Sequence, residues 1–360
     1  MGRSSIINDF DWGDPVIPIH RDPEWEAEVK SELGFVTDLL KRVSPSPWIR
    51  KACLKWPTLK VTMFPRKLGD IATLVTAQEN ACRYCFGVAR SQMQLYGYSG
   101  KMISSIERKM HVADLDEKER TFIRFCRDLA RSNPRPPKED MDKLASLGFS
   151  KLAVTEMAFH IADNCFINRV ATFISSPPMY QIENLSGSFL FGRILRPLIA
   201  RLLKSKEWTS EDAIPEGTKS FPGVVDALSG TAGAVLLNEA LEGAFSSNIL
   251  SKELKVLMFA VISRSLDCAF CQAETGKMAK DLGFKEDEYE KALLTLTSPR
   301  LNAVERKILT WTRETVHFQT GTIQMHIRGL AKEVESTVLL ESIGVAALAN
   351  TTVRLAVLLG

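Results

Sequence analysis

Several things are scarce or missing in this chain of 360 residues. No uninterrupted apolar run reaches the roughly 18 residues of a membrane-spanning helix, so no such helix is expected. Neither sign of charge dominates. Lys and Arg number 46 against 43 Asp and Glu, a formal balance of +3. That excludes wrapping bare nucleic acid as the main role, and no nucleic-acid partner is expected. The opening segment MGRSSIINDFDWGDP lacks the apolar centre of a secretory signal and carries Asp9, Asp11 and Asp14 early. No convincing pair of alternating strands is evident, so the expected fold class is all-α. No flavin or nicotinamide fingerprint appears, and no cofactor is expected. The five histidines, at 20, 111, 160, 317 and 326, lack metal-ligand spacing.

What is present begins with cysteine. The seven, at 53, 82, 85, 126, 165, 268 and 271, are too few and too unevenly placed for a disulfide scaffold in a chain of this size. Four of them form two Cys-x-x-Cys pairs, Cys82/Cys85 and Cys268/Cys271. Reactive dithiols in a reducing compartment are the economical reading, which places the protein in the cytoplasm.

The chain also repeats itself. A shift of 186 puts Cys82 on Cys268, Cys85 on Cys271, Leu68 on Leu254 and Gly97 on Gly283. Leu115 falls on Leu301, and Glu119-Arg120 on Glu305-Arg306. Two tandem helical repeats are expected, 51–174 and 224–360, packed on one another. Residues 1–50 form a helical N-terminal extension, and 175–223 a linker. In the first repeat, Leu68, Ile71, Leu74 and Val75 mark one helix. A second runs from the dithiol to the stop at Gly97. Phe122, Phe125, Cys126 and Leu129 mark another, and Val154–Ile174 a long one. The second repeat gives helices near 252–263, 268–282, 303–315 and 338–359. In the linker, residues 189–204 combine Phe191, Ile194, Leu195 and Leu198 with Arg193, Arg196 and Arg201. This basic amphipathic stretch reads first as a helix packed on the protein, with membrane-surface contact as the alternative.

A Cys-x-x-Cys at a helix start exposes one sulfur to free backbone N–H groups, which favour the thiolate. The spacing allows a small disulfide ring to close and reopen. Peroxide reduction fits: one thiolate is oxidised to a sulfenic acid and its neighbour resolves it. Zinc is the competing reading, but paired Cys-x-x-Cys ligands usually lie 15–20 residues apart. Plain core packing is the reading for Cys53, Cys126 and Cys165.

The segment Lys67–Cys85, with Leu95-Tyr-Gly-Tyr98, Leu115–Phe125 and Phe166-Ile-Asn-Arg169, resembles the carboxymuconolactone decarboxylase / alkyl hydroperoxidase D-like superfamily. A second copy runs from about Ser251 through Cys268-Ala-Phe-Cys271 to Arg354. The resemblance implies an all-helical fold that oligomerises through its helices. It also implies a carboxylate–histidine relay serving the second cysteine of each pair, Cys85 or Cys271, as the peroxidatic thiol. Asp70 takes the carboxylate place in the first copy and Ala89 the histidine place. In the second copy these places hold Val256 and Thr275, so neither relay is complete. The first copy is therefore the better candidate, with Arg83 or Arg90 available to favour a thiolate. A histidine at position 89 is expected to raise the thiolate fraction of Cys85. Glu274 and Asp267 disfavour a thiolate in the second copy. His160 reads first as a structural histidine and second as a group reaching the active pocket. The Glu-Arg pairs read as ion pairs within the bundle.

The expected function is a thiol-dependent peroxidase or disulfide oxidoreductase in antioxidant defence. Its catalytic candidates are Cys82, Cys85, Asp70, Cys268 and Cys271. A peroxide or other small molecule is the expected substrate, and a protein dithiol the electron donor. A homo-oligomer is expected. The alternatives are a lyase of the decarboxylase branch and a non-enzymatic helical module with a degenerate site.

Overall fold

The computed structural model describes residues 12–107, 115–131, 138–186, 220–317 and 319–359. The amphipathic stretch at 189–204 lies outside the described residues, as does His111. Among the described residues the regular structure is entirely helical.

Three helices precede the first Cys-x-x-Cys region: α1 (Pro23–Leu33), α2 (Asp38–Arg42) and α3 (Pro47–Lys55). Asp22 caps α1 by accepting the Trp25 N–H, and Pro23 occupies its first turn, where no backbone N–H is needed. Gly34 ends it with φ of 82°. The Trp25 indole donates to the Leu40 carbonyl at 2.9 Å, fastening α1 to α2. Further upstream, the Val16 N–H bonds the Ile174 carbonyl at 3.0 Å and the Trp12 indole bonds Ser176.

Two sets of six helices follow the same order. The first is α4 (Arg66–Glu79), α5 (Arg83–Tyr96), α6 (Gly100–Glu107), α7 (Glu117–Arg131), α8 (Lys138–Ser146) and α9 (Lys151–Ile174). Between the sets lie α10 (Tyr180–Ser186), α11 (Pro222–Ala227) and α12 (Ala232–Ser246). The second set is α13 (Lys252–Ser265), α14 (Ala269–Asp281), α15 (Glu286–Thr295), α16 (Ala303–Glu314), α17 (Thr320–Leu330) and α18 (Ser336–Leu359). The starts of α4 and α13, α5 and α14, α6 and α15, and α7 and α16 each differ by 186. Gly97 and Gly283 both follow their helices with positive φ, 99° and 78°. In each set the next backbone N–H reaches back into the preceding helix, from Tyr98 to Met93 and from Phe284 to Ala279.

The duplicated Glu-Arg pairs are helix-start devices, and in the first set Glu119 also makes an ion pair with Lys67 of α4. Asp116 accepts the Glu119 N–H while Glu119 accepts the Asp116 N–H. Asn302 and Glu305 make the same reciprocal capping box at α16. Arg120 then bonds the Leu115 carbonyl, and Arg306 the Asn302 carbonyl.

At the centre α9 packs along α18. Both are buried on nearly every side, which is why their sequences are apolar around the whole circumference. The expectation of no span-length apolar helix needs correction here. α18 is long and apolar enough to cross a membrane, because Ser, Thr and Asn interrupt the run without lowering its mean hydropathy much. Yet 94% of its most apolar window is buried inside the protein, as in the core helix of a soluble bundle. One continuous apolar cluster extends from Trp12 to Leu358, so both helix sets share a core.

Candidate redox site

Each dithiol is made by the same local device. Before the first, Ala81 takes φ of 48°, a left-handed conformation that side-chain-bearing residues seldom adopt. This turn sends the chain sharply from α4 into α5 and ties the Cys82 N–H to the Ala77 carbonyl at 3.0 Å. Cys82 is thereby the N-cap of α5, and its sulfur accepts the Cys85 N–H at 3.3 Å. In the second set Asp267 takes φ of 50° and the Cys268 N–H bonds Ser263 at 2.9 Å. Cys268 caps α14, accepting the Cys271 N–H at 3.4 Å.

The electrostatics separate the two sulfurs of a pair. Burial pushes the Cys82 thiol up. Hydrogen bonds from the Cys85 thiol and the N–H groups of Cys85 and Tyr84, with the Thr172 hydroxyl beside them, more than offset it, so Cys82 lies below the ordinary thiol value. Cys85 is pushed well above that value by burial, by its hydrogen bond to Cys82 and by the charge Cys82 carries. Cys271 is pushed up by its hydrogen bond to Cys268, by burial and by Glu274. The resemblance assigns attack to Cys85, whereas this hydrogen-bond pattern favours the thiolate at Cys82.

The surroundings of the two sites differ. Dithiol one is covered from three directions. Arg83 forms a two-pronged pair with Glu183 of α10, at 2.9 and 2.7 Å. Thr320 at the start of α17 approaches the Asn80 and Ala81 carbonyls, each at 3.4 Å, and Gln324 bonds the Thr172 carbonyl at 3.1 Å. Thr37, ahead of α2, reaches Tyr84. At dithiol two both sulfurs are buried, but Asp267, Ala269 and Phe270 beside them are exposed. The Tyr289 hydroxyl there donates to Thr275, whose own hydroxyl donates to the Cys271 carbonyl at 2.8 Å.

The structure corrects several expectations about neighbouring groups. Arg83 directs its charge to Glu183, and Arg90 pairs with the buried Glu107 at 2.9 Å. Neither is among the main causes of the lowered Cys82 value. Asp70 accepts the Tyr98 hydroxyl at 2.9 Å. It sits nine residues before the end of α4, about 13 Å along the helix from the dithiol turn. His160 donates from Nε2 to the Gly69 carbonyl at 3.2 Å, and its Nδ1 is 3.5 Å from Asp163. Twelve residues separate it from Thr172 on α9, about 18 Å. It therefore belongs with Asp70, away from the sulfurs. The place of Gly69 in the second set is taken by Lys255, which is buried with its ammonium bonded to Ser247 and close to Glu341.

Sequence reasoning missed Thr172, Tyr98, and the buried Lys255 with Glu341 near it. Thr172 and Glu341 sit in long, largely apolar helices where no local pattern marks them. Cys53 was read as isolated core packing. It is buried and lies near Cys85, and burial keeps its own thiol neutral by pushing it up. Cys165 accepts Asn80 Nδ2 at 3.5 Å, and Cys126 is buried in the core. Among the described residues no three His, Cys, Asp or Glu side chains are grouped to hold a metal ion. No protein-family model matches the chain, and no curated protein or solved structure is significantly similar to it.

Proposed function

We propose that this protein is a cytoplasmic thiol-disulfide oxidoreductase that reduces hydroperoxides, built as a tandem duplication of the alkyl hydroperoxidase D-like type. The observation that carries the reading is the repeated Cys-x-x-Cys helix cap, in which the second residue's N–H points at the first sulfur in both sets. The matching helix starts, 186 residues apart, support the duplication.

In this reading the Cys82 thiolate attacks the distal peroxide oxygen. The O–O bond breaks, an alcohol leaves after protonation, and Cys82 becomes a sulfenic acid. Cys85 then attacks that sulfur, water leaves, and a disulfide closes. An external protein dithiol supplies two electrons and two protons to reopen it, being itself oxidised to a disulfide. Helix-terminal N–H groups take over the charge stabilisation that a relay base provides elsewhere. Assembly into a homo-oligomer is part of the same proposal. A non-enzymatic helical module is the second reading, favoured by the covered dithiol and by Ala89 and Thr275 in the relay place.

The test is peroxide consumption by the full chain with a thioredoxin-type dithiol donor, followed by mass spectrometry of the cysteines. Cycling of Cys82–Cys85 or Cys268–Cys271 between dithiol and disulfide is expected. Cysteines that stay reduced in peroxide would move the assignment to the binding role.

A further inference from the structure

Thr320, Gln324 and Arg328 of α17 follow one another at four-residue spacing, so they share one helix face. Thr320 approaches the Asn80 and Ala81 carbonyls, in the turn that leads into Cys82. One turn on, Gln324 donates from Nε2 to the Thr172 carbonyl at 3.1 Å. A further turn on, Arg328 reaches the Ser175 hydroxyl at 3.3 Å and the Trp12 carbonyl at 2.7 Å. Thr172 lies in the last turn of α9, where carbonyls lack their usual intrahelical partners and helices fray. The fully buried Gln324 joins the Ser175 N–H on that carbonyl and ties the helix end down. The Thr172 hydroxyl is meanwhile uncommitted. Buried threonines elsewhere, Thr312, Thr351 and Thr352, return their hydroxyls to the carbonyl four residues back. The Thr172 hydroxyl has no hydrogen-bond partner among the described residues and lies beside Cys82. One face of α17 thus braces both sides of this contact, the turn that carries the sulfur and the helix end that carries the hydroxyl.

We propose that Gln324 is a positioning residue for the first dithiol: it holds the end of α9 so that the Thr172 hydroxyl meets the Cys82 sulfur, and the second helix set thereby completes the thiol site of the first. Hydrogen-bond strength falls steeply with distance and angle, so a small drift of the α9 end forfeits the contact. At the second dithiol, the place of Thr172 holds Val357, which has no hydroxyl to present. The use of the braced site rests on the redox reading, whereas alkylation tests the brace without peroxide.

The test is alkylation of the reduced full chain by iodoacetamide against pH, resolved by peptide mass spectrometry. The high-pH plateau reports access to Cys82, and the midpoint reports its thiolate. Cys85 and Tyr84, the titratable groups beside Cys82, are pushed up by burial and stay protonated around neutral pH. Gln324→Met nearly keeps the length of the side chain and removes its hydrogen bond. It should move the Cys82 midpoint up and cut the thiolate fraction at neutral pH by about two- to fivefold, the scale of one hydroxyl contact. Thr172→Val should do the same, and the double variant should add nothing further, because Gln324 acts through Thr172. Cys268, followed in the same samples, should keep its midpoint. Thr320→Val, at the less buried end of the brace, gives the same readout if Gln324→Met does not fold. An unmoved midpoint in the folded variant would overturn the inference, even with a raised plateau, which is what simple uncovering produces. So would shifts that multiply in the double variant, or an equal shift at Cys268, the mark of general loosening. A parent inert to peroxide that still shows these shifts would remove the redox reading and keep the brace.

Discussion

Arg83 follows Cys82 in the chain, yet its guanidinium is engaged by Glu183 at 2.9 and 2.7 Å. The cation nearest in sequence to the acidic thiol is thus matched by a carboxylate from the helix that covers it. Glu183→Gln removes that opposing charge while keeping a polar side chain. Released Arg83 should then favour the Cys82 thiolate, and iodoacetamide should alkylate Cys82 faster at neutral pH. The expected gain is about two- to fivefold, the scale of a partly exposed ion pair. Alkylation against pH, with the other cysteines replaced, measures it. An unchanged profile would mean that Arg83 is too distant to act in either state.

Within the first pair, the order of attack follows from which sulfur accepts hydrogen bonds. Cys82 is below the ordinary thiol value and Cys85 well above it. Cys85→Ser should leave a sulfenic acid on Cys82 that dimedone traps after one equivalent of peroxide. Cys82→Ser should give almost none on Cys85. A trapped adduct on Cys85 in the second variant would restore the order implied by the family resemblance.

Ala89 is only 2% exposed, and this changes what a histidine there would do. Sequence spacing alone puts position 89 on the same helix face as Cys85, which makes a restored relay attractive. The packed surroundings make the imidazole an overpacked, polar intruder. Ala89→His should cost about 1–3 kcal/mol and lower the melting temperature, before any gain in thiolate is seen. Denaturant melts would show it. A variant as stable as the parent, with faster Cys85 alkylation, would mean that the core yields there.

His160 carries a pH dependence whose sign is fixed by its partners. Burial works against the charged ring, but Asp163, the Gly69 carbonyl and Asp70 outweigh it and hold His160 above the ordinary histidine value. A histidine raised on folding stabilises fully below about pH 6.5 and loses that contribution as pH rises through its folded value. Burial also pushes Asp163 up, although His160 pulls it back. His160→Asn should therefore flatten the decline in unfolding free energy above about pH 6.5. An identical slope in parent and variant would assign that decline to other groups.

The helical character, the glycine stops and the long central helix near 154–174 were legible because each depends on local pattern. Leu68, Ile71, Leu74 and Val75 state their face in the sequence, and Gly97 states its left-handed turn. The left-handed residue before each dithiol was not legible, because Ala81 and Asp267 carry no preference for that conformation strong enough to read. Thr172 meets Cys82 only because α9 runs past the start of α5, a tertiary fact. The same applies to Arg83: a basic residue beside a thiol looks like an activator until Glu183, a hundred positions later, is placed against it. The partners of Asp70 likewise come from Tyr98 across a turn and from the approach of His160.

Gly243 tests how closely the helices outside the two sets must approach. A Cβ at this position would lie 2.5 Å from the Trp48 Cβ, an atom fixed to backbone rather than at the end of a flexible chain. In an open helix, Gly→Ala gains about 1 kcal/mol. Here Gly243→Ala should instead destabilise the protein by about 1–3 kcal/mol, because α3 and α12 must separate. Chemical denaturation measures the change, and a stabilised variant would show that the two helices tolerate a wider spacing.

The two dithiols should differ in peroxide activity. Their local devices are alike, down to N–H to sulfur distances of 3.3 and 3.4 Å, so any difference must come from the surroundings. In the first pair, the Thr172 hydroxyl lies beside Cys82 and favours its thiolate, although it makes no hydrogen bond in the structure. In the second, the corresponding helix position is Val357, which offers no hydroxyl, and although the Ser263 hydroxyl favours the Cys271 thiolate, Glu274 adds negative charge beside it. Exposure argues the other way, because the residues around Cys268 face solvent and those around Cys82 are covered. For a small hydroperoxide the charge difference should govern, since such a molecule needs little opening to enter. Cys85→Ser should remove more turnover with hydrogen peroxide than Cys271→Ser. For a bulky organic hydroperoxide the gap should narrow or reverse, as access becomes limiting. Thr172→Val separates the two effects, because it removes the hydroxyl at nearly constant shape. It should slow the first pair with hydrogen peroxide by up to about fivefold, since a neighbouring hydroxyl that makes no full hydrogen bond contributes at most roughly 1 kcal/mol. The second pair should be unaffected. Equal losses from Cys85→Ser and Cys271→Ser with both peroxides, and no effect of Thr172→Val, would mean that the shared helix cap alone sets reactivity.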